Sequence, residues 1–316
     1  MHAEKSGSPT KMGIPFVVVE SRYTSIFLGA DAPHQRFYGW QVAKDTRGLR
    51  VLRKRYGPVS RYLFLLTSAG EAPLEHAIAD VGWRRGLCDL VIHDFDAMLD
   101  DSPVVGGIAF RKMGAQERLL NAATYVVDLG MDESQLLSQV HSSFRRKIRR
   151  AEDAGLQVDV HDRPSPELLR SYLDAQAQFA RSRGFRMVHE QAIAAMFASS
   201  NALLFTVERD GGVANYLLVY TAGDAGFFLY GVNLQNQNDG AGPFLHWRIM
   251  CELKNRGLRW YDLGGVVSDE GGGGVLEFKR RLGGQFISLG VEYRHTGWLA
   301  AAAYAMRAVA MRWWPN

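Results

Sequence analysis

Cysteine is almost missing from this sequence. Two occur in 316 residues, Cys88 and Cys251, and neither has a CxxC partner or a Cys/His cluster near it. A disulfide framework and a zinc site are therefore not indicated, and both residues read as buried thiols. Long apolar runs are missing as well. No stretch of roughly 18 apolar residues occurs, which removes a membrane-spanning helix. The apolar run at 16–19 is too short for a signal-peptide core and sits in a polar beginning, so the expectation is a cytoplasmic protein. The sequence also has no GxSxG, no GxxxxGK[ST] and no HExxH. Those absences set aside serine-hydrolase, P-loop and zinc-hydrolase chemistry.

What remains is an ordinary globular composition, 47% hydrophobic, 22% charged and 11% aromatic, on a chain long enough for two domains. The net charge is only +4, yet basic residues cluster at 145–150, at 279–281 and near the C-terminus, which points to anionic partners.

Apolar patterning predicts strands at 62–67, 90–93 and 124–129 besides 16–19, and a helix over 73–85. Leu137, Val140, Phe144, Ile148 and Ala151 recur at spacings of three and four, which predicts one amphipathic helix over 134–154 with a stop at Gly155. Beyond it the pattern gives a strand (156–160), helices (167–181, 190–199), three strands (203–208, 213–220, 226–231), a helix (243–256) and a strand (259–263) ending in a tight turn. A glycine-rich loop, a helix (275–282) and a strand (285–292) complete it. The expected class is α/β (α+β). Expected domains are 1–133, 134–297 with the basic helix as its linker, and a C-terminal helix at 298–316.

Three stretches carry chemistry. Residues 237–242, with Gln237, Gly240 and Gly242 in the order Q-x-x-G-x-G, lie between a predicted strand and a predicted helix. Exposed N–H groups and the helix dipole there suit a pyrophosphate, although a glycine-rich turn capping an ordinary helix has the same look. The others are YDLGG (261–265) and GVLEFKRRLGG (274–284). With SSFRRKIRRAEDAG (142–155) upstream, they occur in an order that resembles the Fem family. The resemblance spans about 123–290. It implies two GNAT-like domains, each a mixed twisted sheet flanked by helices, and transfer of an aminoacyl group from a charged tRNA to a peptidoglycan precursor in cell-envelope synthesis.

Carried over residue by residue, the resemblance places Lys279 at the transfer site, where a cation steadies the developing oxyanion. It places Arg186, with Arg183 beside it, against phosphate of the acceptor. Arg145, Arg146 and Arg149 belong to a basic helix face able to dock tRNA phosphates. Asp262 reads as a turn cap rather than a base. No metal or bound cofactor is implied; the co-substrate is aminoacyl-tRNA or acyl-CoA.

Two departures bear on the substrates. The 237–242 loop is better formed than that resemblance implies, and no heptad run long enough for the coiled-coil hairpin of cross-bridge enzymes occurs. A CoA-dependent N-acyltransferase acting on a sugar nucleotide or exopolysaccharide precursor, and a non-catalytic RNA-binding adaptor, therefore stand beside an aminoacyltransferase using a peptidoglycan-like or specialised-metabolite acceptor. The alanine-rich 298–316 helix, with Trp298, Arg307 and Arg312, is expected to pack on the first domain, with peripheral membrane contact at the inner face as the other reading.

Overall fold

The computed structural model describes residues 23, 25–28, 39–69, 74–81, 86–184, 190–209, 212–234, 240–266 and 274–313, with helical side chains to 306. The expected strand at 16–19, Gln237 and Arg186 lie outside the described residues.

Two mixed sheets are built on one plan. In the first, β1 (Gln41–Thr46), β2 (Leu49–Tyr56) and β3 (Val59–Leu66) form an antiparallel meander. The chain then passes through α1 (Leu74–Ala79) and returns as β4 (Cys88–Asp94), parallel to β3. Short strands β5 (Val104–Val105), β6 (Ile108–Ala109) and β7 (Arg111–Lys112) lead to β8 (Ala123–Asp128). After α2 (Glu133–Gln139) and α3 (Ser142–Asp153) comes β9 (Val158–His161), then α4 (Pro166–Arg183) and α5 (Glu190–Ala198). A second meander of β10 (Ala202–Arg209), β11 (Gly212–Ala222) and β12 (Ala225–Asn233) passes through α6 (Ala241–Asn255) to β13 (Trp260–Val266), parallel to β12. The chain ends with α7 (Gly274–Arg281), β14 (Gln285–Ser288), β15 (Val291–Thr296) and α8 (Trp298–Trp313).

The sheets exchange strands. Their orders are β1-β2-β3-β4-β15-β7 and β14-β8-β13-β12-β11-β10-β9. Each parallel pair is therefore flanked by an antiparallel strand from the other half of the chain: β15 beside β4, and β8 beside β13. In the second sheet, alternate residues of the meander face opposite cores. Leu203, Phe205, Leu217 and Val219 pack with α2, α3 and α6, while Leu204, Tyr216, Leu218 and Tyr220 pack under α4 and α5.

Three features depart from the patterning. The single helix expected over 134–154 is two helices, broken at Val140 (ψ 131°) and His141 (ψ 142°). Each piece brings its own cap, Asp132 with Gln135 in a capping box and His141 accepting from Ser143 N. The Arg145 guanidinium closes the break by donating to the carbonyls of Ser138 (2.8 Å) and Val140 (2.7 Å). The buried stripe survives, with Leu136 taking the inward place expected of Leu137. The strand expected over 285–292 is likewise two strands in different sheets, divided at Gly290 (φ +82°). Finally, the β1–β2 hairpin was not expected, because charged residues interrupt its apolar pattern at Arg50 and 53–55.

Gly290 sits where the chain leaves one sheet for the other, and a Cβ there would fall 1.9 Å from the Asp94 carbonyl oxygen. Gly57 has φ +60° but nothing within 4 Å of its Cβ position. In urea unfolding, Gly57→Ala is expected to destabilise by about 1 kcal/mol, the left-handed backbone term alone. Gly290→Ala is expected to destabilise by at least about 3 kcal/mol, because the clash adds to the same term. Equal effects would contradict the assignment of Gly290 as the enforced crossing point.

Candidate active site

The two parallel pairs differ in how far they run together. β3 and β4 pair over seven positions, from Ser60 with Cys88 to Leu66 with Asp94. β12 and β13 pair at only three, Ala225 with Trp260, Gly226 with Tyr261 and Phe227 with Asp262, although both strands continue. Each strand carries an irregularity where they part. The β11–β12 register shifts between Leu218 and Val219, and the β13–β8 register shifts between Asp262 and Gly265. Such bulges bend a strand away from its neighbour.

The paired glycines of YDLGG make the second bulge. Gly264 has φ +85°, and a Cβ on Gly265 would overlap the Asn121 side chain at 1.9 Å. The expected tight turn at 264–265 is thus a bulge within a strand that continues to Val266.

The other motifs converge on this opening. α7 presents Lys279, whose Nζ donates to the carbonyl oxygens of Gly264 (2.6 Å) and Gly265 (3.0 Å). The second glycine pair, Gly283 and Gly284, lets the end of α7 approach closely. Cβ atoms there would lie 3.2 Å from the Gln139 backbone and 2.9 Å from Leu263. Phe144 of α3 meets Phe278 of α7 at 5.1 Å between ring centroids, and His141 N donates to the Arg281 carbonyl at 2.8 Å. SSFRR, YDLGG and EFKRRLGG are parts of one packed unit.

Lys279 is 7% exposed. Burial brings its amine down to about 8, against the opposing pull of the Asp262 charge. At pH 7 about nine-tenths of it is still protonated. Two of its three N–H donors are held by the glycine carbonyls, leaving one for a ligand.

His246, on α6, was not singled out from the sequence. Its ring lies against Phe228 and Phe278, both with centroids at 5.3 Å, and Nδ1 shares a hydrogen bond of 2.8 Å with the Tyr261 hydroxyl. Burial, with the Lys279 charge adding to it, drops this imidazole to about 3. It is a neutral wall of the site, too weakly basic to accept a proton at neutral pH. The only sequence signal was a histidine set between apolar residues, Phe244 and Leu245 before it and Trp247 after it.

Asp262 is buried on the opposite face from Tyr261. Its Oδ1 accepts from Gly264 N (2.7 Å) and the Thr124 hydroxyl, and its Oδ2 accepts from the Tyr23 hydroxyl. Burial raises this carboxyl above its usual value, while those hydrogen bonds and Lys279 pull the other way. Both oxygens are engaged, so Asp262 braces the bulge in the capping role its sequence context suggests.

The remaining candidates separate. Gly240 is the N-cap of α6 with φ +93° and no side-chain capping bond. Its Cβ would lie 2.4 Å from the Lys147 carbonyl oxygen, so a glycine is required for α6 to pack on α3. Gly242 meets only Phe278, at ordinary contact distance. Arg145 is committed to the α2–α3 break, whereas Arg146 and Arg149 are exposed and have no ion-pair partner among the described residues. Arg183 is exposed at the end of α4, 5.8 Å from the Phe179 ring centroid, on the sheet face opposite α6 and α7. Two surface recesses, of about 480 and 340 Å³, are lined by residues 74–105 and by α2, α3, β9 and α6, and neither includes Lys279.

Residues 138–280 match the family profile described as an acetyltransferase (GNAT) domain. Among solved structures, FemX superposes with a TM-score of 0.62 at 15% identity, covering 87% of this chain and 92% of that one. The fold is FemAB-like. The C-terminal domain of a protein assigned as a lysylphosphatidylglycerol synthetase from Agrobacterium fabrum gives a TM-score of 0.59 at 13% identity, covering 88% and 91%. L-PGS from Bacillus licheniformis gives 0.55 at 13%, covering 85% and 88%. A search of curated proteins returns no match. The chain thus has a FemAB-like fold, with a GNAT-type domain profile over 138–280 and two GNAT-type sheets of which only the second is splayed.

Lysine side-chain NMR is expected to show Lys279 titrating near pH 8, below the ordinary lysine value. In Asp262→Asn the midpoint should move lower still, because the carboxylate charge that favours the ammonium is gone. An unmoved midpoint would show that the two groups do not sense each other through the opened sheet.

Proposed function

We propose that this FemAB-like acyltransferase moves an aminoacyl group from an aminoacyl-tRNA to an amine on a peptidoglycan-precursor-like or specialised-metabolite acceptor, acting in the cytoplasm. The observation that carries the proposal is the buried Lys279 ammonium, tied to Gly264 and Gly265 with one donor to spare at the parting of β12 and β13. In the reaction, the acceptor nitrogen attacks the ester carbonyl carbon and negative charge grows on the carbonyl oxygen. The free N–H of Lys279 meets that oxygen in a site from which Phe228, Phe278 and His246 exclude water, where one charged donor is worth several kcal/mol. The C–O ester bond then breaks, and the leaving ribose hydroxyl takes the proton lost by the amine. Holding both substrates at the opening supplies much of the rest of the rate.

Arg146 and Arg149 support a polyanionic donor, since both are exposed and free of ion-pair partners among the described residues. Arg183, with Arg186 near it in sequence, is proposed to meet acceptor phosphate. The aminoacyl reading draws on the Fem resemblance of the three converging motifs, and one structural neighbour is named for a lysyl-lipid product.

One observation favours a second reading, a CoA-dependent N-acyltransferase. Gly240, with φ +93°, opens α6 without a side chain over the helix start, where the helix dipole suits a pyrophosphate. Gln237 and Gly242 complete that reading.

The donors separate the two. Purified protein is incubated with labelled aminoacyl-tRNAs or with acetyl-CoA, each with an acceptor extract, and transfer of label is followed. Aminoacyl transfer is the expected outcome, and acetyl transfer alone would establish the second reading. With the accepted donor, Lys279→Ala is expected to lower kcat/KM at least about a hundredfold. In the wild type kcat/KM should fall as pH rises through about 8, because the amine loses its charge there. An unchanged rate in Lys279→Ala would remove the residue from the mechanism.

A further inference from the structure

α8 has two unlike faces. Inward, Ala300 is fully buried, and Ala303 and Tyr304 are half-buried. The Tyr304 hydroxyl donates to Asp89 Oδ2 at 3.2 Å, and its ring lies 5.4 Å from the Arg61 guanidinium and 5.9 Å from that of Arg294. The helix therefore packs on the first sheet, as its sequence suggests.

Outward, every described position is apolar: Trp298, Leu299, Ala301, Ala302, Ala305 and Met306. Trp298 is 74% and Met306 68% exposed, which is unusual for such large side chains. In sequence, Val309 and Trp313 continue the same helical spacing.

The charge in the sequence after Glu292 has one sign. No Asp or Glu occurs after Glu292, while Arg294, Arg307 and Arg312 do. Beneath the helix, a cross-strand row sets Lys54 beside Arg61 and Arg61 beside Asp89. Asp89 is fully buried and bonded by Arg61 and Arg294, so the cations outnumber the single carboxylate. An apolar stripe with tryptophan at its start, on a basic background, is the pattern of a helix lying in a headgroup layer. A helix of this length cannot span one, and no described helix is long and apolar enough to do so.

We propose that the outward face of α8 seats the protein on an anionic phospholipid surface, with Trp298, Leu299 and Met306 entering the interface and the surplus of positive charge in this part of the chain favouring lipid phosphate. This holds whether or not the chain transfers aminoacyl groups. The full-length protein is sedimented with phosphatidylcholine vesicles with and without phosphatidylglycerol, and a fluorophore on Ala302→Cys reports insertion. Binding to the phosphatidylglycerol vesicles is expected, weakening as salt is raised. The double variant Trp298→Ser/Met306→Ser alters only exposed side chains and should keep the wild-type circular dichroism and melting curve. It is expected to bind at least about tenfold more weakly. No binding to either vesicle, or equal binding by wild type and double variant, would overturn the proposal. So would concentration-dependent self-association that the double variant abolishes, since a second copy would then cover the face.

Discussion

The second sheet depends on one constraint: β12 and β13 must separate after three paired positions, and the polar groups freed by the separation must be satisfied. Lys279 meets part of that need by binding two carbonyls of the bulge, and Asp262 meets more by accepting the Gly264 N–H from the other face. A cation and a carboxylate thus brace one opening from opposite sides of a sheet. Burial at that point lowers the lysine toward neutrality while the carboxylate keeps it charged. The same contacts that hold the sheet open keep a buried ammonium at the opening, where the proposed transfer would bring an acyl carbonyl.

The first sheet shows what happens without that constraint. Its parallel pair runs together throughout, and its buried polar groups are spent on cohesion. Glu292, fully buried on β15, accepts from the backbone N–H groups of Leu119 (2.7 Å) and Leu120 (2.8 Å) and from His93 Nδ1 (2.9 Å). Burial pushes Asp89 up, but Arg294 and Arg61 outweigh it and hold the carboxyl below its usual value. Both clusters fasten β15, the strand contributed by the other half, so neither sheet closes without residues from both ends of the chain.

The second half was legible because its elements are long and its motifs strict. The meander, α6 and α7 fall where periodicity puts them, and glycine pairs announce close approaches. Lys279 stands out in the sequence because its motif is specific, and the structure buries it beside the glycine bulge. What escaped is tertiary in origin. The break at Val140 depends on Arg145 and on the Arg281 carbonyl, both outside the reach of helical periodicity. The division at Gly290 follows from strand exchange, which local pattern cannot express. The β1–β2 hairpin hid behind its charges, several of which lie over aromatic rings, as Arg53 does over Tyr62. His246 was hidden because a buried imidazole in an apolar helix looks like any core residue until its neighbours are known. The basic run at 145–150 read as one uniform face, yet Arg145 serves the fold.

The central claim, that the donor's acyl carbonyl lies against Lys279, can be tested by competition labelling. The amine is modified with a slow acylating reagent and the extent at Lys279 is read by mass spectrometry, with and without the donor that supports transfer. Lys279 should react in the free protein because its amine is partly neutral near pH 8, and saturating donor should protect it while other lysines label unchanged. Labelling of Lys279 at the same rate while transfer is saturated would contradict the claim, and the site of transfer would then lie elsewhere in the fold.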